Sequence, residues 1–168
     1  MKGKMECFEC ENPNEFKGHR IVHKYKESGL DYITLSGVEE FKCPHCGAVY
    51  LDIPKIKQLN TLIATMILKK EQVLSGAEIR YLRKQLGYST AQFGRLISYD
   101  PKSLSRIENG HQKVTATFDR LVRMAYATGK RDLNYNLHDL LLGEGIRYRR
   151  LELSLQSGED WEVKKVAA

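Results

Sequence analysis

Two cysteine pairs, Cys7-x2-Cys10 and Cys43-x2-Cys46, limit how this chain can fold. A two-residue gap turns both sulfurs of a pair toward one point, and two such pairs enclose a tetrahedral ion. Pro44 and Gly47 suit the tight turn around the second pair. The 32 residues between the pairs exceed the usual ribbon spacing, so the hairpin joining them must be extended. One structural Zn2+ per chain, held by Cys7, Cys10, Cys43 and Cys46, is the expected occupant. Four thiolates leave no position for an activated water, which argues against a catalytic metal. Iron uses the same ligand set, and disulfides or idle cysteines are the remaining alternatives. His45, between two ligands, is expected to point outward.

Redox compartment bears on that choice. The N-terminus has no apolar stretch like that of a signal peptide, and no apolar run approaches the ~20 residues of a membrane span. A cytoplasmic location is expected, where structural disulfides are rare.

The pattern changes along the chain. Residues 1–53 read as a small β-rich zinc-binding module, with Ile21, His23 and Tyr25 alternating before Ser28-Gly29, and Tyr32 to Leu35 resuming before Gly37. Pro54 opens a helical linker over 54–74. Ile56, Leu59, Leu62, Ile63, Met66 and Ile67 recur there at spacings of three and four. That stripe packs or connects domains, forms a dimerisation seam, or offers a partner groove.

Four helices are predicted over 75–130. Ser75 with Glu78 and Ser89 with Gln92 fit capping boxes, and Asp100-Pro101 supplies a cap and a first-turn proline. Thr117 is the expected cap of the fourth helix, and Gly87, Gly110 and Gly129 are the expected stops. Residues 131–168 read as an extension: a short helix capped by Asp132 and ending at Gly143, then a β-hairpin turning at Ser157-Gly158-Glu159. The fold class is therefore α+β: a β-rich zinc module, a helical linker, an all-α bundle and a C-terminal β-hairpin.

Charge locates a partner. Residues 75–130 carry ten basic and four acidic side chains, whereas residues 1–54 carry seven and nine. A polyanion would be met by the middle of the chain. There, Phe93, Ile97, Tyr99, Leu104 and Ile107 have the spacing of a helix-turn-helix, with Gly94 at the close crossing and Ser98-Tyr99-Asp100 as the turn. Ser98 occupies a position where such turns often carry glycine. The helix from Pro101 would enter the major groove of double-stranded DNA, with Lys102, Ser103 and Arg106 facing the bases. Arg106 could read a guanine, unless an ion pair near Glu108 claims it; Lys102 could read a base or take a phosphate. Gln92 is placed for a phosphate, with Thr90, Lys113 and Arg120 as weaker candidates. No phosphate loop, nucleophile elbow or metalloprotease helix is present, so an enzyme is not expected.

The run from Ser103 to Gly110 resembles the recognition-helix end of the Cro/phage-repressor class. Together with the two cysteine pairs, the order is similar to MqsA-type antitoxins, which join a zinc module to a C-terminal helix-turn-helix. The resemblance covers roughly residues 5–130. It implies a structural zinc and a homodimer that represses its own operon from a palindromic operator. It also implies that the N-terminal module blocks a protein toxin. By motif position Arg106 matches the family's DNA-contacting arginine. The family's contacting asparagine falls at Lys102, implying a different operator. A stand-alone repressor with no toxin partner is the alternative.

Overall fold

The computed structural model describes residues 4–10, 16–130, 137–142, 146–155 and 160–167. The expected Asp132 cap, the Gly143 stop and the Ser157–Glu159 turn lie outside them.

The α+β architecture is as expected, but its parts are joined differently. Strand β3 (His19–Lys24) pairs antiparallel with β4 (Ile33–Lys42), which also receives β5 (Val49–Asp52). The C-terminal hairpin, β6 (Arg150–Leu155) and β7 (Trp161–Ala167), joins the same sheet. β6 lies parallel to β4, with Ile33 opposite Leu151 and Leu35 opposite Leu153. Those four side chains are buried on one face of one five-stranded sheet. The segment read as an extension thus completes the N-terminal sheet. A separate two-stranded ribbon, β1 (Lys4–Met5) with β2 (Phe16–Lys17), serves the cysteine end.

β4 does not stop at Gly37, as the strand pattern predicts. It continues to Lys42 through a glycine at φ 91°. The partner strand slips register between Ile21 and Val22, the mark of a bulge. The bulge changes which side of the strand faces inward. Val38 is buried in the main core, whereas Phe41 belongs to a small cluster with Cys7, Phe16 and Cys43.

Helix α1 (Ile56–Lys69) lies between the sheet and the helical bundle. Its stripe of Leu59, Ile63, Met66 and Ile67 is buried, so packing consumes the face that could have formed a dimer seam. It starts after Lys55, whose φ of 51° is left-handed, with no side-chain cap. Trp161 Nε1 donates to Pro54 O at 2.7 Å, and Gln58 Oε1 accepts from the Trp161 backbone at 3.0 Å, pinning β7 to the helix start.

The bundle follows as α2 (Gly76–Gln85), α3 (Thr90–Leu96), α4 (Pro101–Glu108) and α5 (Ala116–Gly129), with α6 (Leu137–Leu142) beyond. Both capping boxes form, and Asp100 caps α4. Thr115, not Thr117, caps α5: its hydroxyl accepts from Phe118 N, while Thr117 lies inside the helix. Gly129 is the last residue of α5 rather than a left-handed stop. It is small because a Cβ there would lie 2.8 Å from Leu86 Cδ2.

Buried ions lock the bundle to the rest. Glu78, with no solvent exposure, accepts from Tyr32 Oη at 2.7 Å, Lys70 Nζ at 2.9 Å and Ser75 N at 2.7 Å. One carboxylate thereby ties the start of β4, the end of α1 and the cap of α2. Burial and the neighbouring Glu78 charge push the Tyr32 phenol far up, keeping it a donor. Arg123, also buried, pairs with Asp119 at 2.9 Å and donates to the carbonyls of Leu68, Lys70 and Gln72 just beyond and within α1's last turn. Asp119 in turn accepts from Leu74 N.

A core that runs from Tyr25 to Trp161 should unfold as one unit. Fluorescence of the only tryptophan, in the sheet, and helical ellipticity should share one urea midpoint. Glu78→Ala should lower that shared midpoint, with a loss of about 3–5 kcal/mol of stability, because it strands a partly buried cation and two other donors. Two separate midpoints would show that sheet and bundle are independent.

Candidate nucleic-acid interface and metal centre

Three successive helix ends shape the part of the bundle expected to meet DNA. After α2, Tyr88 N donates to Arg83 O and Gly87 N to Lys84 O, with Gly87 left-handed. After α4, His111 N donates to Arg106 O and Gly110 N to Ile107 O, with Gly110 left-handed. Between them, Tyr99 N donates to Gly94 O at 2.8 Å and Ser98 N to Arg95 O, with Ser98 left-handed at φ 52°. The same six-to-one and five-to-two bonding pattern recurs. The middle copy uses serine where the other two use glycine, and it is the turn that launches α4.

Close packing fixes where α4 points. A Cβ on Gly94 would lie 2.7 Å from Tyr99 O, and one on Gly76 only 2.0 Å from Ile107 O. The first is expected from sequence; the second is not, because it depends on α2 starting against the end of α4. Tyr99 stacks on Phe118 with centroids 4.4 Å apart. Leu104 and Ile107 are buried, which turns Lys102 and Arg106 outward.

Glu108 does not claim Arg106. Its two oxygens accept from Arg83 Nε and Nη2 at 2.7 and 2.8 Å, a buried bidentate pair, and Arg83 Nη1 donates to Tyr88 O. Arg80 lies on the same carboxylate at 3.7 Å and donates to Glu108 O. Among the described residues no ion pair engages Arg106.

The same burial explains the surface charge. Of the four acids in 75–130, Glu78, Glu108 and Asp119 are buried against cations. Asp100 is exposed at the start of α4, and the Ser103 backbone N–H holds its carboxyl below the usual range. Lys84, Arg95, Lys102, Arg106, Lys113 and Arg120 remain at the surface. The charge that the bundle shows to water is therefore almost all cationic.

The other expected contacts are distributed around α3 and α4. Gln92 is exposed at the third position of α3, and its Oε1 accepts from Ser89 N, leaving the amide NH2 outward for a phosphate. Thr90 and Ser103 are half-buried in the first turns of α3 and α4. Lys113 is exposed on the loop after α4.

Residues 76–133 match the model of a helix-turn-helix domain family. That segment takes in α2 to α5, including both helices of the reading unit. No curated protein and no solved structure matches the chain. The helix-turn-helix makes this a DNA-binding regulator. No helix among the described residues is long and apolar enough to cross a membrane.

The cysteines converge as their spacing predicts. The four Sγ atoms all lie within 4.8 Å of one another. Cys7 and Cys46 are 3.5 Å apart, and Cys10 and Cys43 3.8 Å. An ion with sulfurs at ~2.3 Å sets them ~3.8 Å apart, so the cluster is compatible with zinc. Tyr50 carries no sequence signal that would place it here. Its hydroxyl lies 3.3 Å from Cys7 Sγ and accepts from Phe8 N at 3.1 Å. That contact, first among several, lowers the Cys7 thiol to about 6. The backbone N–H of Cys46 similarly lowers Cys43. Phe16, Phe41 and the half-buried Tyr50 pack around the sulfurs, and Gly18 leaves room for the Phe41 ring, which a Cβ there would meet at 2.7 Å. His45 is exposed, as expected.

Three measurements test this geometry. Purified protein should hold about one zinc per chain, with affinity falling as pH drops, because only thiolates ligate. Stripping it should loosen residues 4–18 and 41–52 in hydrogen exchange and leave the bundle protected, since the cysteine cluster has its own small core. Ser98→Gly should raise stability by about 1 kcal/mol, the cost of a left-handed non-glycine residue. An unchanged urea midpoint would show that Ser98 is unstrained.

Proposed function

We propose that this protein is a sequence-specific transcriptional repressor that binds a palindromic operator as a homodimer. The observation that carries the reading is the exposed Arg106 on α4, with no ion pair among the described residues, on a helix whose direction is fixed by Gly94 and the Arg83–Glu108 pair. An arginine so placed can set two guanidinium donors on guanine O6 and N7. Lys102 and Ser103, one turn nearer the helix start, read or approach neighbouring bases. Gln92, Thr90 and Lys113 take phosphates and set the register.

One recognition helix spans only a few base pairs, so two-fold pairing is needed for specificity. Half-sites then fall about one helical turn (~34 Å) apart, or a multiple of that. Titrations against the upstream region of the protein's own gene and a scrambled duplex test the reading. Arg106→Ala should cost ~1–3 kcal/mol on the specific site and relax preference at one position per half-site. Gln92→Ala should weaken both duplexes alike. Affinity should fall steeply with salt as counterions are released. If wild type binds the two duplexes equally, sequence-specific regulation of its own gene is wrong.

The cysteine module is assigned to protein binding, with the zinc in a structural role. Phe8 supports this: it is 77% exposed beside Cys7, held edge-on to Tyr50 at 5.7 Å. Large aromatics displayed on a rigid support are common anchors of protein interfaces. With the resemblance to MqsA-type proteins, the partner is a toxin encoded beside this gene, and the protein is the antitoxin and autorepressor of the pair. Full-length protein should co-purify with the neighbouring gene product, and Phe8→Asp should abolish this while leaving DNA binding intact. Failure of wild type to retain that product would favour a stand-alone repressor.

A further inference from the structure

We infer that the exposed face of α5 is where two copies of this chain pair, antiparallel, across a two-fold axis. The pairing deepens the repressor reading above, which gives it a purpose, but the surface argues for it independently. Two other apolar faces are already covered. The α1 stripe is buried in the main core, and the inward face of the β6–β7 hairpin is buried in the sheet. The bundle keeps an uncovered apolar groove, lined by Leu96, Ile97, Leu121, Met124, Ala125 and Thr128. Leu96 is 54% exposed, Met124 42% and Leu121 37%.

The groove is uncharged on an otherwise cationic domain. A nucleic acid has nothing to pair with there, and an acidic partner would find its cations elsewhere. A second copy is the occupant whose own surface fits. Thr117, Leu121, Met124 and Thr128 form one exposed row at spacings of four, three and four. The row reads nearly the same in both directions: threonine, a long aliphatic side chain, a long aliphatic side chain, threonine. A two-fold contact needs such self-complementarity. Turned antiparallel about its midpoint, the row sets Leu121 of one copy on Met124 of the other, and each Thr117 on the opposite Thr128. The Thr128 hydroxyl already donates to Met124 O at 2.9 Å, so its methyl group is what remains to pack.

The area is modest. A 14-residue helix is ~21 Å long and ~10 Å wide, a footprint of ~200 Å² per chain before Leu96 adds its share. Stable interfaces need ~800 Å² per partner. Pairing is therefore weak in free solution and reinforced when both copies sit on one duplex. Because α3 packs against the recognition helix, and Tyr99 in the turn before that helix packs on Phe118 of α5, this contact would fix the distance between two reading heads.

The test uses full-length protein in sedimentation equilibrium over a concentration series, without DNA. Wild type should self-associate. Met124→Glu and Leu121→Lys should each weaken association by at least ~tenfold, as truncation of a central anchor does. An equimolar mixture of the two variants should regain it. The carboxylate introduced at position 124 of one chain then meets the ammonium introduced at position 121 of the other, while the second Leu–Met contact stays native. Far-UV spectra of both variants should match wild type. A wild type that stays monomeric overturns the inference. So do variants that associate as wild type does, or a mixture no stronger than either variant alone; these would assign the groove to another occupant. No DNA enters the measurement, so loss of operator specificity would refute the repressor reading and leave the pairing standing.

Discussion

A carboxylate sealed from water survives only if its donors are fixed in place. Glu78 has three, and they come from three parts of the chain. Tyr32 belongs to the turn that opens β4, Lys70 to the exit from α1, and Ser75 to the cap of α2. Two of these donors are themselves constrained: the carbonyl of Tyr32 accepts from Leu151 N, and Lys70 lies over the Tyr148 ring at 5.6 Å. The position of the DNA-binding bundle relative to the sheet is thus set by hydrogen-bond geometry as well as by apolar packing, which is far less directional. Arg123 acts similarly from the other side, using three main-chain carbonyls at the end of α1.

Burying acids has a second effect. Each buried pair removes one positive and one negative charge from the surface, and the cations left over include Arg95 on α3, Lys102 and Arg106 on α4 and Lys113 on the loop that follows. An attractive field for a polyanion arises without any dense run of lysine in the sequence. The cysteine end is different in kind. Its few apolar side chains form a separate, smaller cluster around four cysteines that lie close enough together to hold one ion. The molecule combines a large core with a small annex built around the four cysteines.

Local signals carry most of the bundle. Capping boxes at Ser75 and Ser89, the Asp100-Pro101 start and the glycines at 87 and 110 act within one turn of chain, so their meaning survives without a structure. The cysteine spacing is equally legible, since a knuckle is a local geometry. Thr117 reads as a cap because it precedes an apolar run, yet Thr115 has the extended backbone a cap requires. Pairings across long stretches of sequence are not legible in this way. Nothing near Gly76 announces that Ile107 will lie against it, and nothing near Glu108 says that Arg83 will take its carboxylate. The alternation over 150–155 announces a strand but not its neighbour, so β6 reads as part of an appendage although it lies inside the sheet.

That parallel pairing has a consequence for how the chain is made. β4 and β6 meet across 117 residues, counted from Ser36 to Leu153. During synthesis the strand around Leu35 leaves the ribosome long before its partner, and the whole DNA-reading bundle emerges in between. Until β6 arrives, one edge of β4 and part of its apolar face stay open. Contacts so distant along the chain form slowly, and open edges of this kind are where nascent chains associate wrongly. The helices have capped ends and short loops and can form early, whereas the sheet that orients them closes only near the end of translation. A ribosome stalled after residue 130 would release a reading head with no frame to hold it.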